Sequence, residues 1–307
     1  MRRFLIPSLL SALLLMVAVG CEKPVIIQGE DPDEPVVEVE GTRRVRFSVS
    51  PLVQTAFDNA AEAKAREPRH AQKNLSEVCT RLSLAVFNQD GTKYGKVTNH
   101  SSDTDGFETF DVKLPEGKYR VLVVGYGGDT KMETSAASQV KIGSVLYDTF
   151  YCFEDITVDG SSESFALELH RCVAKVSLSF SEPLPEAVRQ LKVIVKGGGK
   201  ELNAETGFGV KASDQTLIKD VTNWQSPLFE FFSIPLSSEE TLLSIRVDAL
   251  GASGETLLKK ELSEVPVRKN YVTRVEGDFF GENPDDGRGK VIITIDDTWE
   301  GSIPYYF

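Results

Sequence analysis

Apolar and polar residues alternate with a period of two along most of the chain. In Val45-Arg46-Phe47-Ser48-Val49 the apolar side chains point one way and Arg44, Arg46 and Ser48 the other, the pattern of a half-buried strand. Leu82, Leu84 and Val86 alternate up to Asn88-Gln89-Asp90-Gly91, where Asp-Gly supplies the positive φ angles of a tight hairpin. Phe110, Val112 and Leu114 run into Pro115-Glu116-Gly117, and the following Tyr119 to Val124 is apolar on both faces, which predicts a central strand. Thr149 to Val158, a turn at Asp159-Gly160, and Phe165, Leu167 and Leu169 predict a further hairpin.

The parity of the pattern then changes. Leu169 closes an odd-numbered apolar set, whereas Ala174, Val176, Leu178 and Phe180 are even-numbered, so one unbroken strand would turn its apolar face over. Register fixes the buried face, and the chain must therefore bulge or enter a different core near His170-Arg171-Cys172-Val173. Strand patterns resume at Leu191 to Val195, Phe229 to Leu236, Leu243 to Ala249, Leu257 to Leu262, Tyr271 to Phe280 and Val291 to Ile295. Short strands at such spacing, without long helical periods between them, argue an all-β protein of two tandem antiparallel β-sandwich domains, residues 42–172 and 173–307. Val53 to Arg66, rich in Ala and stopped by Pro68, carries the one helical signal and reads equally well as a mobile insertion.

The first 41 residues follow no such pattern. Arg2 and Arg3 precede an uncharged run from Phe4 to Val19, interrupted by Pro7 and a little short of the roughly 20 residues a membrane-crossing helix needs. The run ends at Ala18-Val19-Gly20-Cys21, which resembles the lipobox of bacterial lipoproteins, although Ala18 stands where Leu is usual. That resemblance makes residues 1–20 a lipoprotein signal peptide and Cys21 the lipidated first residue. Residues 21–41 then form an acidic, Pro-containing tether that cannot bury enough apolar surface to fold. Acyl chains contributing about 0.8 kcal/mol per buried CH₂ would hold the protein to a membrane through its amino terminus.

Removing the leader leaves 287 of 307 residues, with 32 basic and 46 acidic side chains and a net charge of -14. A chain so acidic repels phosphate backbones, so nucleic acid is not an expected partner. No cofactor motif is present. His70, His100 and His170 are the three histidines and stand at no metal-ligand spacing, and neither GxSxG nor a P-loop occurs. The acidic clusters at 31–34, 103–106 and 282–287 lack the spacing of an EF-hand and read as turns. Cys79, Cys152 and Cys172 allow one bridge and one leftover thiol, with Cys152 and Cys172 a candidate pair, or are small buried apolar residues. Trp224, Trp299, Tyr126, Tyr305 and Tyr306 could line a sugar platform, against the ordinary role of packing.

Four stretches in order, the lipobox at Cys21, RLSLAVFNQDG, LPEGKYRVLVVGYG and ALELHRCVAKVSLSF, together resemble the FimB/Mfa2 family of fimbrial anchor subunits from Bacteroidota over nearly the whole mature chain. The resemblance implies two transthyretin-like β-sandwich domains and lipid attachment to the outer membrane with the body facing outward. It further implies service as base and length regulator of a fimbrium, with pilin subunits as partners, joined by β-strand complementation, and no enzymatic activity. Pilins of that family are trimmed after an Arg near the first strand, whereas anchors retain it. Thr42-Arg43-Arg44-Val45-Arg46 stands at such a place, and cutting after Arg46 would separate the body from Cys21 and make the chain a stalk or tip pilin. The competing readings are a glycan-binding surface lipoprotein of a polysaccharide-uptake system, which needs an exposed aromatic row, and a sandwich hydrolase, which needs convergent histidines and carboxylates.

Overall fold

The computed structural model describes residues 41–50, 75–160, 164–181, 183–221, 228–280, 291–297 and 301–305. The leader, the tether up to residue 40, the helical signal at Val53 to Arg66, His70, Trp224, Trp299 and Tyr306 lie outside them. The first half contains β1 (Thr42–Ser50), a single helical turn (Leu75–Val78), β2 (Arg81–Asn88), β3 (Lys93–Ser101), β4 (Thr109–Pro115), β5 (Gly117–Tyr126), β6 (Glu133–Ala136), β7 (Gln139–Lys141), β8 (Thr149–Val158), β9 (Ser164–Glu168) and β10 (His170–Arg171). The second contains β11 (Ala174–Phe180), β12 (Gln190–Lys196), β13 (Glu201–Asn203), β14 (Phe208–Gly209), β15 (Gln215–Asp220), β16 (Leu228–Ser233), β17 (Thr241–Leu250), β18 (Thr256–Val267), β19 (Val272–Gly277), β20 (Val291–Asp297) and β21 (Gly301–Tyr305). The protein is all-β, as the period of two predicts.

Each half packs two sheets face to face. In the first, β4-β1-β9 lies against β10-β8-β5-β2-β3, and in the second β16-β11-β19-β20-β21 lies against β15-β12-β17-β18. Most neighbours run antiparallel, but β1 and β9 are parallel, as are β11 and β19. The two halves trace the same path. β11 takes the place of β1, β12 of β2, β15 of β3, β16 of β4, β17 of β5, β18 of β8 and β19 of β9, with every pairing direction preserved.

Burial explains the parity change at the hinge. Val45, Phe47, Val49, Leu84, Val121, Leu167 and Leu169 fill the first core, and Ala174, Val176, Leu178, Val193 and Val275 the second. Between them Cys172 and Val173 enter a third cluster with Leu122, Val124, Tyr126, Val140, Leu202 and Ile234, side chains drawn from both halves. This cluster covers the outer faces of β2 and β5. For that reason β2, which reads as half-buried, is buried on both faces, with Ala85 and Phe87 in the third cluster. A small sheet of order β14-β13-β7-β6 adds backbone bonds across the junction, β13 pairing with β7 through Glu201↔Lys141 and Leu202↔Val140.

Two local expectations need correction. The hairpin predicted from Thr149–Val158 and Phe165–Leu169 does not form. β8 pairs with β5, and beyond the turn at Gly160 (φ 81°) the chain crosses to the opposite sheet, where β9 satisfies the second side of β1. The turn after β2 is a three-residue loop, with the Gly91 amide donating to the Asn88 carbonyl at 2.9 Å and only Gly91 at positive φ (83°), rather than both Asp90 and Gly91.

Candidate functional site

The first strand carries the arginine segment Thr42-Arg43-Arg44-Val45-Arg46. β1 sits in the middle of its sheet, antiparallel to β4 from Thr42↔Pro115 to Ser48↔Thr109 and parallel to β9 from Arg46↔Ser164 to Ser50↔Glu168. Its inward side chains are closed off from solvent, Val45 and Phe47 at 0% and Val49 at 3%. Phe47 stacks on Phe165 of β9 with ring centroids 5.6 Å apart. Removing β1 would therefore open a groove between β4 and β9, lined by the residues it now covers.

Arg44 and Arg46 project to the opposite, solvent side, as the alternation predicts, whereas Arg43 shares the parity of Val45 and is exposed near the start of the strand. Arg46 donates from Nε and Nη2 to the two carboxylate oxygens of Asp111, both at 2.9 Å, and Arg43 donates to Glu116 at 3.1 Å. The Arg46 hydrogen bond, and then its charge, hold the Asp111 carboxyl below its ordinary range. Both partners are carried by β4 and the turn after it, so the arginines tie the first strand to its neighbour along the exposed face.

The sequence-derived candidates scatter. His100 stacks on Phe110 at 4.2 Å, its Nδ1 3.3 Å from the Phe107 carbonyl oxygen. His170 is exposed on β10. These two histidines occupy opposite edges of one five-stranded sheet, separated by four strand spacings, on the order of 19 Å. Among the described residues no three His, Cys, Asp or Glu side chains gather as a metal site. A cavity of about 770 Å³ in the second half is lined by residues that include Phe208, Glu239, Glu240, Arg268, Lys269 and Tyr271. Tyr126 is buried, its hydroxyl donating to the Thr130 carbonyl at 2.7 Å, and so stands on no sugar platform.

Cys79, Cys152 and Cys172 are free and buried. Cys152 belongs to the first core and Cys172 to the junction cluster, on opposite sides of the β10-β8-β5-β2-β3 sheet. Burial pushes all three thiols up to about 12, which leaves them protonated and unreactive. Cys21 lies outside the described residues.

Residues 51–300, more than half of the chain, match the family described as Fimbrillin-A associated anchor proteins Mfa1 and Mfa2. The chain belongs to this family. Membership in the Mfa2 family gives it a fimbrial accessory role at the cell surface, as the sequence resemblance implies. Among solved structures, the fimbrial anchor protein Mfa2 from Porphyromonas gingivalis is similar at 16% identity and a TM-score of 0.48, the match covering 86% of this chain and 100% of that one. A fimbrial assembly protein from Parabacteroides distasonis ATCC 8503 is similar at 13% identity and a TM-score of 0.43, covering 86% of this chain and 99% of that one. No curated protein sequence matches this one.

Sequence reasoning missed two features of this Mfa2-family chain. The pairing of β1 with β9 is long-range and parallel, and no local signal announces it. The four short strands β6, β7, β13 and β14, of two to four residues each, are too brief to show a period.

Proposed function

We propose that the chain is the lipid-anchored, length-regulating base subunit of a fimbrium. Residues 1–20 direct export, Cys21 carries the lipid in the outer membrane, residues 21–41 are a tether, and two sandwich domains, 42–172 and 173–307, face outward to bind pilin by β-strand complementation. The reading carries no catalytic role and no cofactor.

The observation that supports it is the seating of β1 in its own groove, with Val45, Phe47 and Val49 buried and Arg43 and Arg46 in ion pairs. A subunit whose groove is filled from within does not accept a donor strand there, and chain growth stops at it. A protease needs an extended, unpaired backbone, whereas the arginine segment is hydrogen-bonded on both strand edges from Arg46 onward and to β4 from Thr42. Retention of the strand keeps the body covalently joined to Cys21, which an anchor requires and a stalk or tip pilin does not.

The test replaces Cys21 with Ala in fimbriated cells and follows palmitate incorporation together with fimbrial length and retention. Loss of label with fimbriae shed or abnormally long is the expected result. Normal, cell-attached fimbriae on cells whose mutant protein carries no label would reject the reading.

A further inference from the structure

The internal repeat of the fold singles out one strand edge. In the second half, β19 is flanked on one side by parallel β11 and on the other by antiparallel β20, in register from Val272↔Asp296 to Gly277↔Val291. Ile293 of β20 reaches the core beside its cross-strand partner Val275, at 7% and 0% exposure. In the first half β9 stands where β19 stands, parallel to β1. Among the described residues no strand pairs with its other side, the position that β20 fills in the second half.

The side chains at that edge agree. Leu167 of β9 is buried at 1%, but Phe165 is only partly buried, packed on Phe47 from one side. An apolar side chain on an added strand would cover Phe165 as Ile293 extends the second core.

Three other edges are obstructed. The start of β3 is bridged by Thr92↔Ala136 and held by Lys93 Nζ donating to the Thr134 carbonyl at 2.9 Å, and Gly95 (φ 70°) sits where its pairing with β2 breaks register. β18 carries Lys259, Lys260 and Glu261 in succession and is kinked at Glu264 (φ 57°), two devices that blunt an edge. β16 is capped by Gln215 donating to the Phe232 carbonyl at 3.4 Å and by the Gly199↔Ile234 bridge just beyond its end. β9, Ser-Phe-Ala-Leu-Glu, carries a single charge, at its end.

We propose that the outer edge of Ser164–Glu168 is where this subunit takes one extended strand of a pilin, antiparallel to β9, with apolar residues at alternate positions facing Phe165. The proposal rests on the anchor reading for the identity of the partner, and on the fold repeat for the place. Backbone hydrogen bonds supply the affinity, and the alternate apolar side chains set the register. The groove of β1 stays filled throughout, so this contact adds a strand without exchanging one.

The probe is a synthetic peptide with the sequence of residues 291–297, Val-Ile-Ile-Thr-Ile-Asp-Asp, the strand that fills the equivalent edge of the second half. Hydrogen exchange of the full chain is read by mass spectrometry with and without it. New protection confined to residues 164–168 is expected. Methylating one alternate set of the peptide amides should abolish that protection while methylating the other set leaves it, and Phe165→Lys should weaken binding about tenfold by placing a charge at the rim. Protection at another edge, indifference to which amides are methylated, or no binding at millimolar peptide would overturn the assignment. A destabilised Phe165→Lys protein leaves the methylated peptides as the deciding comparison. The anchor reading is judged separately by the Cys21→Ala cells.

Discussion

Arg46 and Asp111 face each other across β1 and β4, joined by two parallel hydrogen bonds of 2.9 Å. The pair lies on the solvent side of a strand whose other side holds Val45, Phe47 and Val49 in the core. One strand is thus fixed by burial beneath and by charge above. Native protein should therefore resist trypsin at Arg43, Arg44 and Arg46 while unfolded protein is cut at all three, and amino-terminal sequencing of the fragments distinguishes the two. Rapid native cleavage after Arg46 would show that the strand is not held.

Phe47 is fully buried and stacked on Phe165, so Phe47→Ala removes both core volume and the contact that joins β1 to β9. A loss of about 3–5 kcal/mol is expected in urea unfolding, with trypsin sensitivity appearing at the arginines. The exposed Arg44→Ala should change neither.

Stability should fall in acid through the strand-tethering carboxylate. Arg46 depresses the folded-state pKa of Asp111, so its contribution is complete above the unfolded value, about 3.9, and is lost as pH falls through the lower folded value. A calorimetric series from pH 7 to pH 2 should show the thermal midpoint dropping below about pH 4, less steeply in Asp111→Asn. Identical slopes in the two proteins would mean the pair contributes nothing to folding.

The two halves are clasped by Arg171, which donates to both oxygens of Asp148 at 2.7 and 2.9 Å and to Asn270 of the second half at 2.8 Å. Arg171→Met leaves Asp148 partly buried beside an apolar side chain, at an expected cost of about 2–3 kcal/mol in denaturant unfolding. With the third cluster and the β7–β13 pairing intact, a single unfolding transition should persist.

Gly207 adopts φ 74°, and a Cβ there would meet the hydroxyl of Tyr151, which belongs to the other half. Gly207→Ala should destabilise by about 1–3 kcal/mol through backbone strain and a widened junction. Pairing it with Tyr151→Phe should recover part of the loss, and no recovery would place the whole effect in the backbone.

The sequence shows most of what is local. Val45-Phe47-Val49, the both-faced apolar run of β5 and the parity change between Leu169 and Ala174 each point to the faces they occupy, because side-chain alternation is a local consequence of the pleat. What stays hidden is non-local. Ala85 and Phe87 read as the outer face of β2 until the junction cluster covers them, and Phe165 reads as half of a hairpin until β9 crosses to β1. The candidate edge is legible only through the repeat, since the two halves share a path without an obvious shared sequence. His100 and His170 attract attention by residue type alone, and their positions at opposite edges of one sheet give them no common task.

The central claim is that a lipidated Cys21 and an uncut first strand belong to one and the same mature chain. Intact-mass and amino-terminal fragment mass spectrometry of the protein taken from fimbriated outer membranes reads both at once. The account predicts an acylated Cys21 followed by an unbroken sequence through Ser50. A mature chain beginning within or just after Arg43 to Arg46, or one bearing an unmodified Cys21, would contradict it.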